Sequence, residues 1–209
     1  MANTKLASPE LAGVEIHGMT RSSFIIKGAL AASAAYGAGA VAPFVSNALA
    51  QSGGGDIGIL NFALTLEYLE TDFYKRASKK VGLSGEAKKL ATLFGEQEAQ
   101  HVAALTQAIK GGGGKPAKKP TFSFPVSSQS SFLKLAQTLE DTGVGAYNGA
   151  GPMIQMPKVL AAAGSIVQIE ARHAAAIRLL NGSAPAPNAF DKALGKSTVL
   201  AAVKPLIKG

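Results

Sequence analysis

Two glutamate–histidine pairs of identical spacing constrain this chain more than anything else in it: Glu98-Ala99-Gln100-His101 and Glu170-Ala171-Arg172-His173. Residues three apart on a helix project to the same side one turn along, so a carboxylate and an imidazole reach one point in space. One such pair arises often by chance, but these two use every histidine after residue 50. Each also sits in an apolar stripe. Phe94, Val102 and Leu105 share the face of Glu98, and Ile166, Val167, Ala174 and Ile177 share that of Glu170. A bare carboxylate in such a stripe costs several kcal/mol unless it is paired, protonated or bound to a metal. Glu96, by contrast, shares its face with Lys89, Thr92 and Gln100 and is expected to face solvent.

Two more helical segments carry lone inward glutamates. Glu140 lies with Leu133, Ala136, Val144 and Tyr147, while its neighbour Asp141 falls with Lys134, Gln137 and Asn148 and is expected to face out. Glu67 lies with Leu60, Ala63, Leu64 and Tyr74; Glu70 lies among Leu66, Phe73 and Ala77. Either could be the ligand of that segment, or both could touch the site. An internal repeat favours Glu67. Tyr74 follows Glu67 by seven residues and Tyr147 follows Glu140 by seven; Glu67 precedes Glu98 by 31 and Glu140 precedes Glu170 by 30. The chain thus carries two copies of one helix pair, and Glu70 breaks the symmetry. Seven residues is nearly two turns, so each tyrosine lies on its glutamate's face. Tyr74 and Tyr147 are either hydrogen-bond partners behind the glutamates or packing residues whose hydroxyls reach water.

The segments that carry these residues read as four long helices, over 56–80, 84–110, 128–149 and 157–180. Asp56 and Ser84 stand at N-cap positions, and Gly111 and Asn181-Gly182 at stops. The stretch 111–125 holds four consecutive glycines, three lysines and three prolines, and so is a long loop. Pro152 and Pro157 punctuate the next connection. The expected fold is therefore all-α, a four-helix bundle over 56–181 with its long crossover between helices 2 and 3. Residues 51–55 form a flexible lead-in. In the tail, 182–209, Ala184-Pro185-Ala186-Pro187 is an extended spacer. Val199, Leu200, Val203, Leu206 and Ile207 then predict a short C-terminal helix packing on the bundle or on another subunit. A hydrophobic content of 47% is enough for one core, and the lack of Cys excludes disulfides and thiolate sites.

Residues 1–50 have a different character. Arg21 and Lys27 bracket the start of an Ala/Gly-rich apolar run, and Ala48-x-Ala50 has signal-peptidase spacing, which predicts an export signal peptide cleaved after Ala50. Thr20-Arg21-Ser22-Ser23-Phe24-Ile25-Ile26-Lys27 resembles a twin-arginine signal, with Ser22 where the second arginine is expected. The chain is thus expected to meet the export machinery and to reach the periplasm, the cell envelope or the medium. The formal charge of +8 reads as a solvated surface: the lysine pairs are not interleaved with aromatics, and no nucleic-acid partner is expected.

Two carboxylate helices with two Glu-x-x-His helices form the ligand pattern of di-iron and di-manganese bundles. The sequence resembles the ferritin-like superfamily, and within it the exported ferritin-like-domain family that includes desiccation-related proteins. The likeness is carried by 61–70, from Asn61 to Glu70, by 139–147, from Leu139 to Tyr147, and by 169–173, from Ile169 to His173. It implies two iron or manganese ions held by Glu67, Glu98, His101, Glu140, Glu170 and His173. Glu98 with Glu140, or Glu98 with Glu170, are the bridging candidates. An enzyme of this kind would be a di-metal oxidoreductase of ferroxidase, peroxidase or catalase type, with metal ions and small oxidants as partners. A non-enzymatic envelope scaffold using the basic crossover and an iron-storage cage are the alternatives, and homo-oligomerisation stays open.

Overall fold

A computed structural model describes residues 55–208. The leader and its cleavage site lie outside the described residues.

The first rod is α1 (Gly55–Asp72), a π-helical turn (Phe73–Ala77) and a final short piece, α2 (Ser78–Val81). The sequence predicts one regular helix here, beginning after the glycine lead-in; instead Gly55 already opens the helix and the middle is widened. The wide turn lets the adjacent Phe73 and Tyr74 both point inward, where both are buried. Gly82, at φ 63°, ends the rod in the left-handed conformation that glycine adopts without penalty. The second rod, α3 (Gly85–Gly111), is followed after the crossover by α4 (Gln129–Ala150) and α5 (Pro157–Leu180). Helix α4 opens with a capping box, in which Ser128 and Ser131 satisfy each other's backbone amides.

Two of the expected caps do other work. Asp56 lies inside the first turn of α1, and its carboxylate accepts from Gln155 N and Met156 N at 2.8 Å. It ties the start of the first rod to the start of the last. Ser84 occupies the N-cap position of α3 without a side-chain capping bond; its amide donates to Gln129 Oε1 at 3.0 Å. Asp141 also departs from expectation. It is half-buried, 2.6 Å from Arg178 Nη2, because α5 packs along that flank of α4.

The rods pair as α1 with α3 and α4 with α5, and the long crossover joins the pairs. This is the four-helix arrangement expected from the sequence. The crossover is fastened along the first rod. Asn61 bonds to Lys115 O and Ala117 N, Lys119 reaches Asp72 at 2.6 Å, and Arg76 and Lys80 donate to the carbonyls of Phe122 and Phe124. Its apolar residues Phe122, Phe124 and Val126 enter the core. Strand β1 (Thr121–Phe122) pairs antiparallel with β2 (Ile207–Lys208), a ribbon that the Pro- and Lys-rich loop does not advertise. The tail helix α6 (Lys196–Val203) buries Val199 and Val203 against the bundle of its own chain. Just before it, Leu194 lies in a groove on α4. Its amide donates to Gly145 O at 2.8 Å, and a Cβ at Gly149 would fall 2.0 Å from its carbonyl oxygen. No helix among the described residues is long and apolar enough to cross a membrane.

Candidate metal centre

The four rods bring the six expected ligands to one place. Glu67, Glu98, Glu140 and Glu170 have no solvent exposure, and His101 and His173 are buried beside them. Ligand atoms of Glu67, Glu98, His101 and Glu170 lie within 4.8 Å of one another, as do those of Glu98, Glu140, Glu170 and His173. The two quartets share Glu98 and Glu170. The unshared members are then Glu67 and His101 on the first helix pair, and Glu140 and His173 on the second.

Both imidazoles face the centre with Nδ1. That of His101 lies 3.2 Å from Glu67, 3.0 Å from Glu98 and 3.0 Å from Glu170; that of His173 lies 2.9 Å from Glu98 and 3.4 Å from Glu140. Several of these approaches are close without being aligned as hydrogen bonds. Glu98 Oε1, Glu140 Oε2, both oxygens of Glu170 and His173 Nδ1 are buried and lack a hydrogen-bond partner. Buried polar atoms are rarely left this way. A cation at the point of convergence would satisfy all of them, and hard oxygen and imidazole donors suit iron or manganese. The residues present fit a bound metal.

The tyrosines reach across the bundle. Tyr74 on the first rod donates to Glu140 Oε1 on α4, and Tyr147 on α4 donates to Glu67 Oε1 on α1 at 2.5 Å. Each bond occupies one carboxylate oxygen and leaves the other facing the centre. The seven-residue spacing puts each tyrosine on its own glutamate's face, but the partner is the glutamate of the other repeat. Glu70 is buried as well. It stands outside both quartets, and a Cβ at Gly143 would fall 3.2 Å from its Oε1 and 3.5 Å from Glu170 Oε2. The repeat places Gly143 where α1 has Glu70, so the missing side chain on α4 makes room for the extra carboxylate.

Burial and mutual repulsion govern the charges. Burial, then the charge of Glu170, pushes Glu67 and Glu70 well above the usual carboxylate range. Glu170 is pushed up to about 8 by burial and the Glu98 charge, and Glu140 is raised by burial. Glu98 goes the other way: burial opposes its charge, yet the hydrogen bond from His101 and the close approach of the His173 imidazole outweigh it and bring the pKa to about 2. Burial likewise opposes charge on the imidazoles, but the surrounding carboxylates raise His101 to about 12 and His173 to about 10. Without metal, protons stand in for part of the positive charge that the carboxylates require.

Two contributors escaped the sequence reading. Gln97 Oε1 accepts from His173 Nε2 at 2.7 Å, and Phe94 stacks on the His173 ring at 3.9 Å between centroids. Phe94 was visible only as a stripe residue and Gln97 carried no signal of its own. Gly143 could have been found by laying Glu67-x-x-Glu70 over Glu140-x-x-Gly143.

A family model described as a ferritin-like domain matches residues 55–183. Protein rds1 of Schizosaccharomyces pombe is 25% identical over 162 residues, 74% of this chain but 40% of that protein, so the match spans well under half of its length. Among solved structures, the crystal structure of a conserved hypothetical protein, rv2844, from Mycobacterium tuberculosis aligns with a TM-score of 0.58 at 19% identity. The alignment covers 67% of this chain and 99% of that one, a likeness of fold alone.

Proposed function

The chain belongs to the ferritin-like domain family, and on that premise we propose that it holds two iron or manganese ions and uses them in metal oxidation or in the breakdown of peroxide. The observation that carries this reading is a pair of buried carboxylate–imidazole quartets with two members in common, in which polar atoms of Glu98, Glu140, Glu170 and His173 have no hydrogen-bond partner. Glu67 and His101 would hold one ion, Glu140 and His173 the other, with Glu98 and Glu170 serving both. Such a pair, when bound, supplies one-electron steps at each metal toward dioxygen or peroxide.

The chain's own residues prepare that site. Tyr74 and Tyr147 fix the carboxylates of Glu140 and Glu67, as outer hydrogen bonds commonly do for ligands. Apolar side chains on both sides of the centre, Phe94 and Leu105 on α3 and Ile166 and Ile177 on α5, keep bulk water out. The leader motif supports an exported protein whose metal chemistry takes place in the periplasm or envelope.

The test is metal analysis of the full chain purified without chelator, beside the His101→Ala/His173→Ala variant, followed by ferrous oxidation and peroxide consumption assays. We expect two ions per chain, lost in the variant together with turnover, while the circular dichroism of a folded bundle remains. A folded wild-type protein that neither contains nor takes up iron or manganese would sink the proposal.

A further inference from the structure

We propose that the two metal positions are unequal: the position of Glu67 and His101 exchanges its ion with solvent, and the position of Glu140 and His173 retains its ion. This rests on the metal reading above and concerns what the internal repeat does not copy.

The ligands repeat, but the support of the imidazoles does not. His173 donates from Nε2 to Gln97 at 2.7 Å, its ring lies against Phe94, and its side chain is 2% exposed. Its Nδ1 is thereby aimed at Glu98 and Glu140 by contacts on the opposite nitrogen and on the ring face. Glu98 precedes Glu170, and His101 precedes His173, by 72 residues. The same step carries Gln97 to Ile169 and Phe94 to Ile166, so the second helix pair offers His101 neither an amide acceptor nor an aromatic face. All the polar contacts of His101 among the described residues are made by Nδ1, toward the carboxylates, and its side chain is 11% exposed. It is the most exposed of the six ligands. The ring centroids are 6.5 Å apart, so these two environments meet in one centre.

An outer hydrogen bond on the far nitrogen fixes ring orientation and raises the basicity of the ligating one; losing it commonly lowers metal affinity by about 10- to 100-fold. An imidazole without that bond, at the solvent edge, can swing away and let an ion pass. The retained ion at the deeper position keeps Glu98 and Glu170 charged and oriented for the next arrival.

Manganese(II) is the probe, since its release into excess EDTA is read by electron paramagnetic resonance without any turnover. The loaded full chain should lose two ions in two phases of equal amplitude. Gln97→Leu should speed the slow phase about 10- to 100-fold and leave the fast phase alone. Ile169→Gln, which places an amide at the matching point of the other pair, should slow the fast phase. Two ions leaving in one phase, or Gln97→Leu speeding both phases equally, would overturn this inference and leave the metal site standing. No manganese bound by folded wild type would overturn both.

Discussion

The middle of the bundle and its two ends obey opposite rules. At one end Phe73 stacks on Phe132 with centroids 4.5 Å apart, and Phe124 and Tyr74 meet Phe73 edge-on. The crossover and the tail helix close that cluster with Phe122, Phe124, Val199 and Val203. At the other end Leu60, Leu64, Leu105, Ile109 and Ile166 form an aliphatic cluster. Between them lie Glu67, Glu70, Glu98, Glu140, Glu170 and two imidazoles, all buried. Area removed from water stabilises the ends, whereas the middle buries acids that must be protonated or met by cations, at a cost to folding. The same rods therefore hold a stabilising part and a costly part, and the first makes the second sustainable.

The largest effect should come from breaking an end. Phe132 has no solvent exposure and touches both Phe73 and Tyr74. Phe132→Ala should cost about 3–5 kcal/mol in denaturant unfolding. The loss should be similar with and without metal, because the side chain meets no ligand oxygen in its aromatic contacts. A much smaller cost would mean that the aromatic end is not what carries the fold.

The middle should reveal itself through pH. His101 and His173, raised to about 12 and about 10, hold protons that the unfolded chain releases near 6.5, so their contribution is complete below 6.5 and is lost as pH rises through the folded values. Glu170, raised to about 8 from 4.5, also keeps a proton that the unfolded chain sheds, which lowers stability between those values. Glu98, lowered to about 2, works in the other direction and is stabilising above 4.5. Metal-free protein should thus lose stability between pH 6.5 and 9, by roughly 1.4 kcal/mol per pH unit for each proton held. Metal binding should flatten the profile and release protons measurable by pH-stat. A metal-free stability that rises from pH 6.5 to 9 would contradict the charge assignment.

A smaller shift of opposite sign is expected at Glu70. Glu70→Gln removes a buried acid that stands outside both quartets, and should stabilise the metal-free chain by about 1–3 kcal/mol. Thermal unfolding of the metal-free variant checks it; destabilisation would show that Glu70 is held by contacts of its own.

How much of this could be read from the chain depends on distance along it. The Glu-x-x-His pairs were legible because three residues on a helix fix a shared face, and the helix over 157–180 because Pro157 and Asn181-Gly182 bound it locally. Partners set by the bundle were not. Tyr74 and Tyr147 show their faces but not that each crosses to the other repeat's glutamate. Asp56 looks like the cap of its own helix, yet serves amides about 100 residues away. The tethering of the crossover by Asn61, Asp72 and Arg76 joins segments whose local patterns say nothing of each other. The π-helical turn at Phe73–Ala77 is likewise a response to packing, since no glycine or proline marks it.

Gly143 gives the smallest and most specific test of the contrast between middle and ends. Alanine in a helix interior is ordinarily better than glycine by about 0.5–1 kcal/mol. Here the added Cβ would sit 3.2 Å from Glu70 Oε1, so the carboxylate must shift by a few tenths of an ångström toward the other acids. The two contributions should nearly cancel in Gly143→Ala, leaving metal-free stability within about 0.5 kcal/mol of wild type. In a Glu70→Ala background the neighbouring carboxyl is absent, the close contact is gone, and the helical gain should appear. Unfolding of the four proteins should therefore give a coupling of about 0.5–1 kcal/mol. A coupling of zero would mean that Gly143 owes its place to the backbone of α4, and that the vacancy in the second repeat was not made for the extra carboxylate of the first.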